Sequence, residues 1–423
     1  MTSPDGGGPL RNRDFRLLLA GAATSQLGAQ VTLVALPLVA VVELDASPLE
    51  TGLLTAAETA AFLLVGLPAG AWVDRMRRLP VLVRADVVRA VAMACLPPAA
   101  WAGVLTMTQL YLVALVTGVA TVFFDVAHQS YLPALLPREQ LVSGNGALET
   151  VRSSAQVAGP GLGGVLVQAA GAPFALVTDA AGYLLSALFL RGIRTPEPPP
   201  APATGASLRA QVGEGLAFVF RHPALRMIAC STAVANFFGA MLVAVQTVFL
   251  VRVLELPAGV IGLMMSASAV GGLAGALCAG ALARAVGRAR VIWLAPAVTG
   301  PFAVLWPLAG HGAAAIWFAV ASAAVFFGAV VYNVAQVSFR QLLCPAELLG
   351  RMNATLRFLV WGTMPFGALV GGAVADAAGP RAAVWTCAAG FLLVPVPLLF
   401  SPLRRLRDLP VPAAAHAPGP VAG

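Results

Sequence analysis

The sequence predicts an all-α integral membrane protein, with twelve transmembrane helices arranged as two pseudo-symmetric six-helix bundles. Three observations carry this reading. The 423 residues are 59% hydrophobic and only 10% charged, where soluble globular domains carry about 25% charged residues. Apolar stretches of about 20 residues, the length that crosses a bilayer, recur twelve times. The two halves of the chain also repeat each other at a nearly constant offset. So few charges cannot solvate a soluble fold of this length, and a disordered chain would need more charge and less apolar surface.

In chain order the spans cover residues 17–42, 51–73, 80–101, 109–134, 144–170, 173–190, 226–251, 258–283, 290–309, 313–339, 354–377 and 382–402. Several contain Gly or Pro, which membrane helices tolerate because neighbours re-satisfy the freed backbone groups. The first span follows Arg11, Arg13 and Arg16, is too long for a signal-peptide core and lacks a small-residue cleavage pattern. It therefore reads as an uncleaved helix.

The net charge is +8 and all 26 basic residues are arginine. One set of loops holds nearly all of those that lie outside the spans, from Arg11 through Arg75, Arg77, Arg78, Arg138, Arg191, Arg284, Arg288 and Arg351 to Arg407. The opposite loops hold only Arg252 and Arg381. By the positive-inside rule both termini lie in the cytoplasm. The lysine-free, Ala-Gly-Arg-rich usage points to a GC-rich bacterial genome, hence to a bacterial inner or plasma membrane. The basic excess is then a topology signal, and no nucleic-acid partner is expected, because the arginines are dispersed over short loops.

Five scattered cysteines without a CxxC pair form no disulfide framework, and four scattered histidines have no metal spacing. No cofactor or metal is expected. No GxxxxGK[ST] run or Ser/His/Asp, Cys/His or HExxH constellation is present. An integral-membrane enzyme or lipid-handling protein would need such a cluster and ranks below transport.

A shift of 208 aligns residues 125–171 with 333–379, matching Pro137 to Pro345, Glu139 to Glu347, Asn145 to Asn353 and Gly163-Gly164 to Gly371-Gly372. A shift of 210 matches Gly70 to Gly280 and Arg78 to Arg288. The domains read as residues 1–190, a first six-helix bundle; 191–225, a cytoplasmic proline-rich linker; 226–402, a second bundle; and 403–423, a cytoplasmic tail. Within the linker Leu208, Val212, Leu216, Val219 and Phe220 have helical spacing. That helix lies either on the membrane surface or under the spans. Parallel six-span repeats place a site between the halves near the midplane.

Between spans 2 and 3 stands Gly70-Ala-Trp-Val-Asp74-Arg75-Met-Arg77-Arg78, and its counterpart is Gly280-Ala-Leu-Ala-Arg284-Ala-Val-Gly287-Arg288. Span 5 contains Gly159-Pro160-Gly-Leu-Gly163-Gly164. Its small residues permit tight packing, and Pro160 favours a bend. These runs identify a resemblance to the major facilitator superfamily. The first is similar to that family's cytoplasmic GxxxDRxGRR loop, with Arg77 where glycine is usual and Arg284 where the counterpart has lost its acid. The resemblance implies that Asp74 and the arginines form a cytoplasmic gating latch. The span 5 run resembles the antiporter motif GPxxGG of exporters, which favours efflux over uptake. Residues 133–145 and Phe174, Asp179, Tyr183 and Ser186 resemble the drug- and siderophore-exporter branch containing enterobactin-exporter-like proteins. Leu27-Gly28-Ala29-Gln30 lacks the acid that many relatives carry in span 1, so no proton site is expected there.

Ionisable groups within spans are functional candidates by default. Glu58 in span 2 reads either as a proton or cationic-substrate site or as a hydrogen-bonded structural acid. Asp125 in span 4 and Arg152 in span 5 fall at similar depth, which predicts a buried ion pair with Glu149 competing for the same guanidinium. Two acids around one arginine make a protonation switch, and a fixed pair joining the spans is the alternative. The second half has Asn333, Arg357 and Val360 at the corresponding places. Asp86 and Arg89 are spaced to pair on one helix, Asp179 reads as a hydrogen-bonded acid, and His128 as a satisfied core residue.

The resemblance further implies that spans 1, 4, 7 and 10 line a cavity. Gln26 and Gln30, then Asn236, Phe237, Phe238, Met241 and Gln246, then Tyr332, Asn333 and Gln336, are the substrate-cavity candidates. Such a lining suits a largely apolar organic compound with a few hydrogen-bonding groups. The reading as a whole is a monomeric, proton-coupled exporter of a small molecule working by alternating access, with an uptake porter of the same fold as the alternative.

Overall fold

The structure, a computed structural model, describes residues 9–73, 75–197, 208–344 and 346–408. Its helices are α1 (Arg13–Leu38), α2 (Pro48–Val73), α3 (Arg78–Ala94), α4 (Leu96–Trp101), α5 (Met107–Leu135), α6 (Leu141–Ala170) and α7 (Ala172–Arg191) in the first half. The second half contains α8 (Leu208–Arg221), α9 (Pro223–Val248), α10 (Ala258–Val286), α11 (Arg288–Thr299), α12 (Leu305–Leu308), α13 (Ile316–Leu343), α14 (Ala346–Trp361), α15 (Met364–Ala378), α16 (Pro380–Leu393) and α17 (Val396–Leu399).

Local chemistry starts these helices where the sequence allows. Asn12 Oδ1 accepts from the amides of Asp14 at 2.9 Å and Phe15 at 3.1 Å, capping α1. Ser47-Pro-Leu-Glu50 forms a reciprocal capping box on α2: the Ser47 amide donates to Glu50 Oε2 at 2.7 Å and the Glu50 amide to Ser47 Oγ at 3.2 Å.

Among the described residues ten helices are long and apolar enough to cross a membrane. Spans 3 and 5 of the sequence reading are not among them. The first carries Arg84, Asp86 and Arg89 and divides into α3 and α4, while the second, in α6, is rich in Gly, Ser and Gln. Both stand in the bundle because α3 packs on α5 and α7, and α6 on α1 and α10. Asp86 and Arg89 of the first are buried against protein, and Glu149, Arg152, Ser153 and Gln156 of the second line a cavity. Pro160 does not break α6, which runs on to Ala170.

The helices before the linker pack chiefly on one another, α1 on α6 and α7 and α2 on α5, and those after it likewise, α9 on α15 and α16 and α10 on α13. The halves meet along two repeat-related seams, α6 with α10 and α2 with α15. The linker helix α8 lies under the second half: Val219 is buried in a cluster with Leu225, Met352 and Leu356. At the same end an acid following each half's last span caps that half's third span. Glu197 accepts from the amides of Arg78 at 2.7 Å and Leu79 at 3.2 Å, and Asp408 from the amide of Arg288 at 3.2 Å.

Candidate functional site

Small residues close the end of the molecule opposite the chain termini. A methyl group added at Gly164 would lie 2.5 Å from the Ala258 carbonyl and 3.0 Å from Gly262 Cα, so α6 and α10 touch backbone to backbone. The repeat-related seam is built the same way: a methyl at Gly52 would lie 2.8 Å from the Ala368 carbonyl and 2.9 Å from Gly372 Cα. Gly163 and Gly159 serve the interior of the first half, facing Val31 and Gln30 of α1. Beside Pro160 the Gly161 amide donates to Ser266 Oγ of α10 at 2.9 Å, a backbone donor used across the seam. The glycines of the span 5 motif thus let one helix approach two neighbours at once.

Above these seams both halves turn through a π-helical segment, Val39–Glu43 and Phe249–Val253, into a left-handed residue, Asp45 at φ 46° and Glu255 at φ 55°. Arg252, one of two arginines that break the charge asymmetry, reaches across. Its Nη2 donates to Asp45 Oδ1 at 2.6 Å and to the Ala46 carbonyl at 2.9 Å. Because the Asp45 side chain is 95% exposed, this tie stabilises closure by at most about 1 kcal/mol. Arg252→Ala is expected to shift the closed fraction only severalfold toward opening, measured by spin-label distances across the closed end; an unchanged distribution would remove the latch role.

Below the closed end the halves part around two cavities. The larger, about 420 Å³, lies between α6, α9, α10 and α13, and its polar lining includes Glu149, Arg152, Ser153, Gln156, Asn236, Tyr332 and Asn333. The smaller, about 210 Å³, lies between α2, α5 and the end of α14, with Phe62, Val122, Asp125, Arg357 and Phe358 on its walls. Trp361 borders both. It meets Phe62 of the other half edge to face, with centroids 4.5 Å apart, and carries the Arg357 guanidinium 4.8 Å over its ring.

The expected Asp125–Arg152 ion pair does not form. Arg152 instead makes a two-pronged bond with Glu149 on its own helix, Nε and Nη2 donating at 2.9 and 2.7 Å. Matching depth did not bring the partners together because α5 and α6 scarcely touch, α6 packing on α1 and α10. Asp125 is half-buried, forms no ion pair among the described residues, and has Arg89, Arg357 and Arg152 as electrostatic neighbours. Glu58 is also half-buried and has no ion-pair partner among the described residues; it lines neither cavity.

Of the cavity candidates, Asn236, Tyr332 and Asn333 line the larger space. Gln336 is buried and donates to Asn333 Oδ1 at 2.9 Å, so it orients a lining residue rather than lining the cavity itself. Met241 is fully buried against Gly371, and the Phe237 backbone lies against Gly367, because the α9–α15 contact occupies that face of α9. Gln26, Gln30 and Gln246 line neither cavity, Gln30 being packed under Gly159. Arg357 and Trp361 were not among the candidates. Arg357 is a charge within span 11, whose other charge, Asp376, stands next to the span's end, and the rule applied to Glu58 and Asp125 also flags Arg357.

A second charged group lies inside the first half, away from the cavities. Arg89 pairs with Asp86, their side chains 4% and 0% exposed. The guanidinium sits 4.3 Å from the ring centroids of both Phe124 and Tyr183. Nearby, buried Asp179 accepts from Thr32 Oγ1 at 2.5 Å, joining α7 to α1 where Gly28 and Gly182 allow close approach. Removing one partner of such a pair strands the other charge, at about 3–5 kcal/mol. Arg89→Ala is therefore expected to lower the thermal midpoint in detergent well below that of the double variant Asp86→Ala, Arg89→Ala. A midpoint equal to the unsubstituted protein would contradict this.

In the loop between α2 and α3, Asp74 lies outside the described residues. Gly70 stands on the wall of the smaller cavity, Arg75 and Arg77 are exposed, and Arg78 pairs with Glu197 at 3.6 Å. In the counterpart Gly280 is exposed, and Gly287, at φ 108°, lies against Arg407, with Arg288 after it starting α11.

A helical bundle of two repeated halves, sealed at one end and parted around cavities at their junction, defines a multi-pass secondary transporter. The chain belongs to the Major Facilitator Superfamily, whose family profile matches residues 18–364, and this is a family of transporters and not of enzymes. It is similar to the multidrug efflux pump Tap of Mycolicibacterium fortuitum, 28% identical over 411 residues, covering 93% of this chain and 96% of that protein. Its fold resembles a bacterial homologue of the iron transporter ferroportin in its inward-facing state, with TM-score 0.76, 17% identity, and coverage of 93% and 99% of the two chains. It also resembles the nucleoside transporter NupG, with TM-score 0.73, 13% identity, and coverage of 93% and 99%.

Proposed function

We propose that this protein is a proton-coupled exporter of a small, largely apolar organic compound, of the drug- and siderophore-exporter kind. The carrying observation is that Asp125 and Arg357 line one cavity from opposite halves, beside the shared Trp361 and with no ion pair of their own among the described residues. A carboxylate attracts that guanidinium across the cleft, and a proton taken up on the carboxylate removes the attraction. Proton binding therefore biases how far the halves part, which is the coupling an exchanger requires. Asp125 is the leading proton site, with Glu58 as a second candidate and Glu149–Arg152 shaping the larger cavity.

Residues 1–190 and 226–402 act as the moving units, joined by 191–225, in a bacterial plasma membrane with both termini and the tail 403–423 cytoplasmic. The arginine asymmetry supports this orientation, which makes the described conformation open to the cytoplasm. Export is supported by the GPxxGG-like run standing at the closing seam and by the likeness to Tap. The aromatic walls of the cavities, with a polar strip from Glu149 to Asn333 along the larger one, suit a largely apolar compound with hydrogen-bonding groups, taken up by a monomer. Direction is tested in inverted membrane vesicles: an exporter concentrates a lipophilic fluorescent compound inside them when their lumen is acidified, whereas an uptake porter depletes it.

A further inference from the structure

We propose that the groove between α3 and α5, on the outer surface of the first half, is a binding site for one anionic phospholipid. Its phosphate is held by Arg84, and one acyl chain lies along the two helices. This reading needs only the membrane fold and is independent of the direction or coupling of transport.

The groove consists of two cavities of about 460 and about 430 Å³ that share Val88 and Val116. Together they follow α3 from Val81 to Ala92, about 16 Å of helix at 1.5 Å per residue. Every lining side chain is apolar except Arg84, which stands at the end nearer the chain termini. A concave apolar channel of that length, facing lipid, fits an acyl chain.

The charge at its end selects the headgroup. Arg84 is exposed on α3 six residues beyond Arg78, about 9 Å along the axis from the helix start. It has no acidic partner among the described residues, whereas Arg78 is paired with Glu197. An unpaired arginine on a lipid-facing helix is costly, and its long side chain reaches toward the headgroup layer. A phosphodiester there accepts the guanidinium fork through two oxygens. Trp72, stacked on Phe123 with centroids 6.0 Å apart and itself 48% exposed, marks the interface level at this end. Exposed Arg75 and Arg77, also without acidic partners among the described residues, add positive charge beside it. Three arginines without acidic partners among the described residues favour a net-negative lipid over a zwitterionic one.

The test uses the full chain in bilayers containing spin-labelled phosphatidylglycerol or phosphatidylcholine, and reads the fraction of each label immobilised by the protein. The unsubstituted protein should prefer phosphatidylglycerol, and Arg84→Gln should lower that preference about fivefold without changing phosphatidylcholine. Val116→Trp, a lipid-facing substitution that fills the middle of the groove, should reduce retention of both labels while Arg84 remains. Equal phosphatidylglycerol association in Arg84→Gln and the unsubstituted protein would overturn the headgroup site. Unchanged retention in Val116→Trp would overturn the acyl groove, and displacement by inorganic phosphate alone would show a free-anion site instead.

Discussion

Gly164→Leu is expected to leave the closed end open and to abolish transport. The side chain has no room, since a single methyl at this position already meets the Ala258 carbonyl at 2.5 Å and Gly262 at 3.0 Å. Overpacking of this kind costs about 1–3 kcal/mol, enough to lower the closed population about 5- to 150-fold. The cost falls only on the closed arrangement, because each half retains its own packing when the α6–α10 seam parts. Spin labels at Glu43 and Glu255, exposed and on opposite halves, should move to longer separations. Gly372→Leu should do the same through the α2–α15 seam. Unsubstituted distances together with undiminished transport would show that these seams do not form a gate.

The second large effect is expected at Asp125. Asp125→Asn keeps the shape of the smaller cavity and removes both the charge and the exchangeable proton. Gradient-driven movement of substrate should vanish, while substrate-for-substrate exchange at equal pH stays within about threefold of the unsubstituted rate. Arg357→Gln should depress both activities, because Arg357 also orders Trp361 at the border of the two cavities. If Asp125→Asn retained full coupling and Glu58→Gln lost it, the proton site would move to α2.

The all-helical fold could be read from hydropathy and from Gly and Pro placement, because a helix satisfies its own backbone in lipid and few alternatives exist. The repeat offset was equally readable and reappears as physical symmetry. Gly164 and Gly372 occupy matching places at the seams, Gly163 and Gly371 matching places inside the halves, and Glu197 and Asp408 cap matching helices. What the sequence does not encode locally is which helices are neighbours. Asp125 and Arg152 were matched by depth alone, yet α5 and α6 diverge, and the arginine bonds within its own helix.

Facing was also hidden, since lipid and protein core are both apolar and helical periodicity cannot distinguish them. Met241 and Gln336 therefore read as cavity residues although they are buried at helix contacts. Arg357 shows the reverse. In the repeat it stands only as the counterpart of Glu149, and its place beside Asp125 emerges only when α14 is set against α2 and α5.

The measurement that bears most directly on this account is transport by purified protein in liposomes under an imposed pH gradient, with a panel of lipophilic compounds and internal pH recorded together. At least one compound is expected to move against the proton flow, each transport event accompanied by proton movement in the opposite direction, and collapsing the gradient should stop both. Substrate movement without any dependence on the gradient, or no movement across a broad panel, would contradict it.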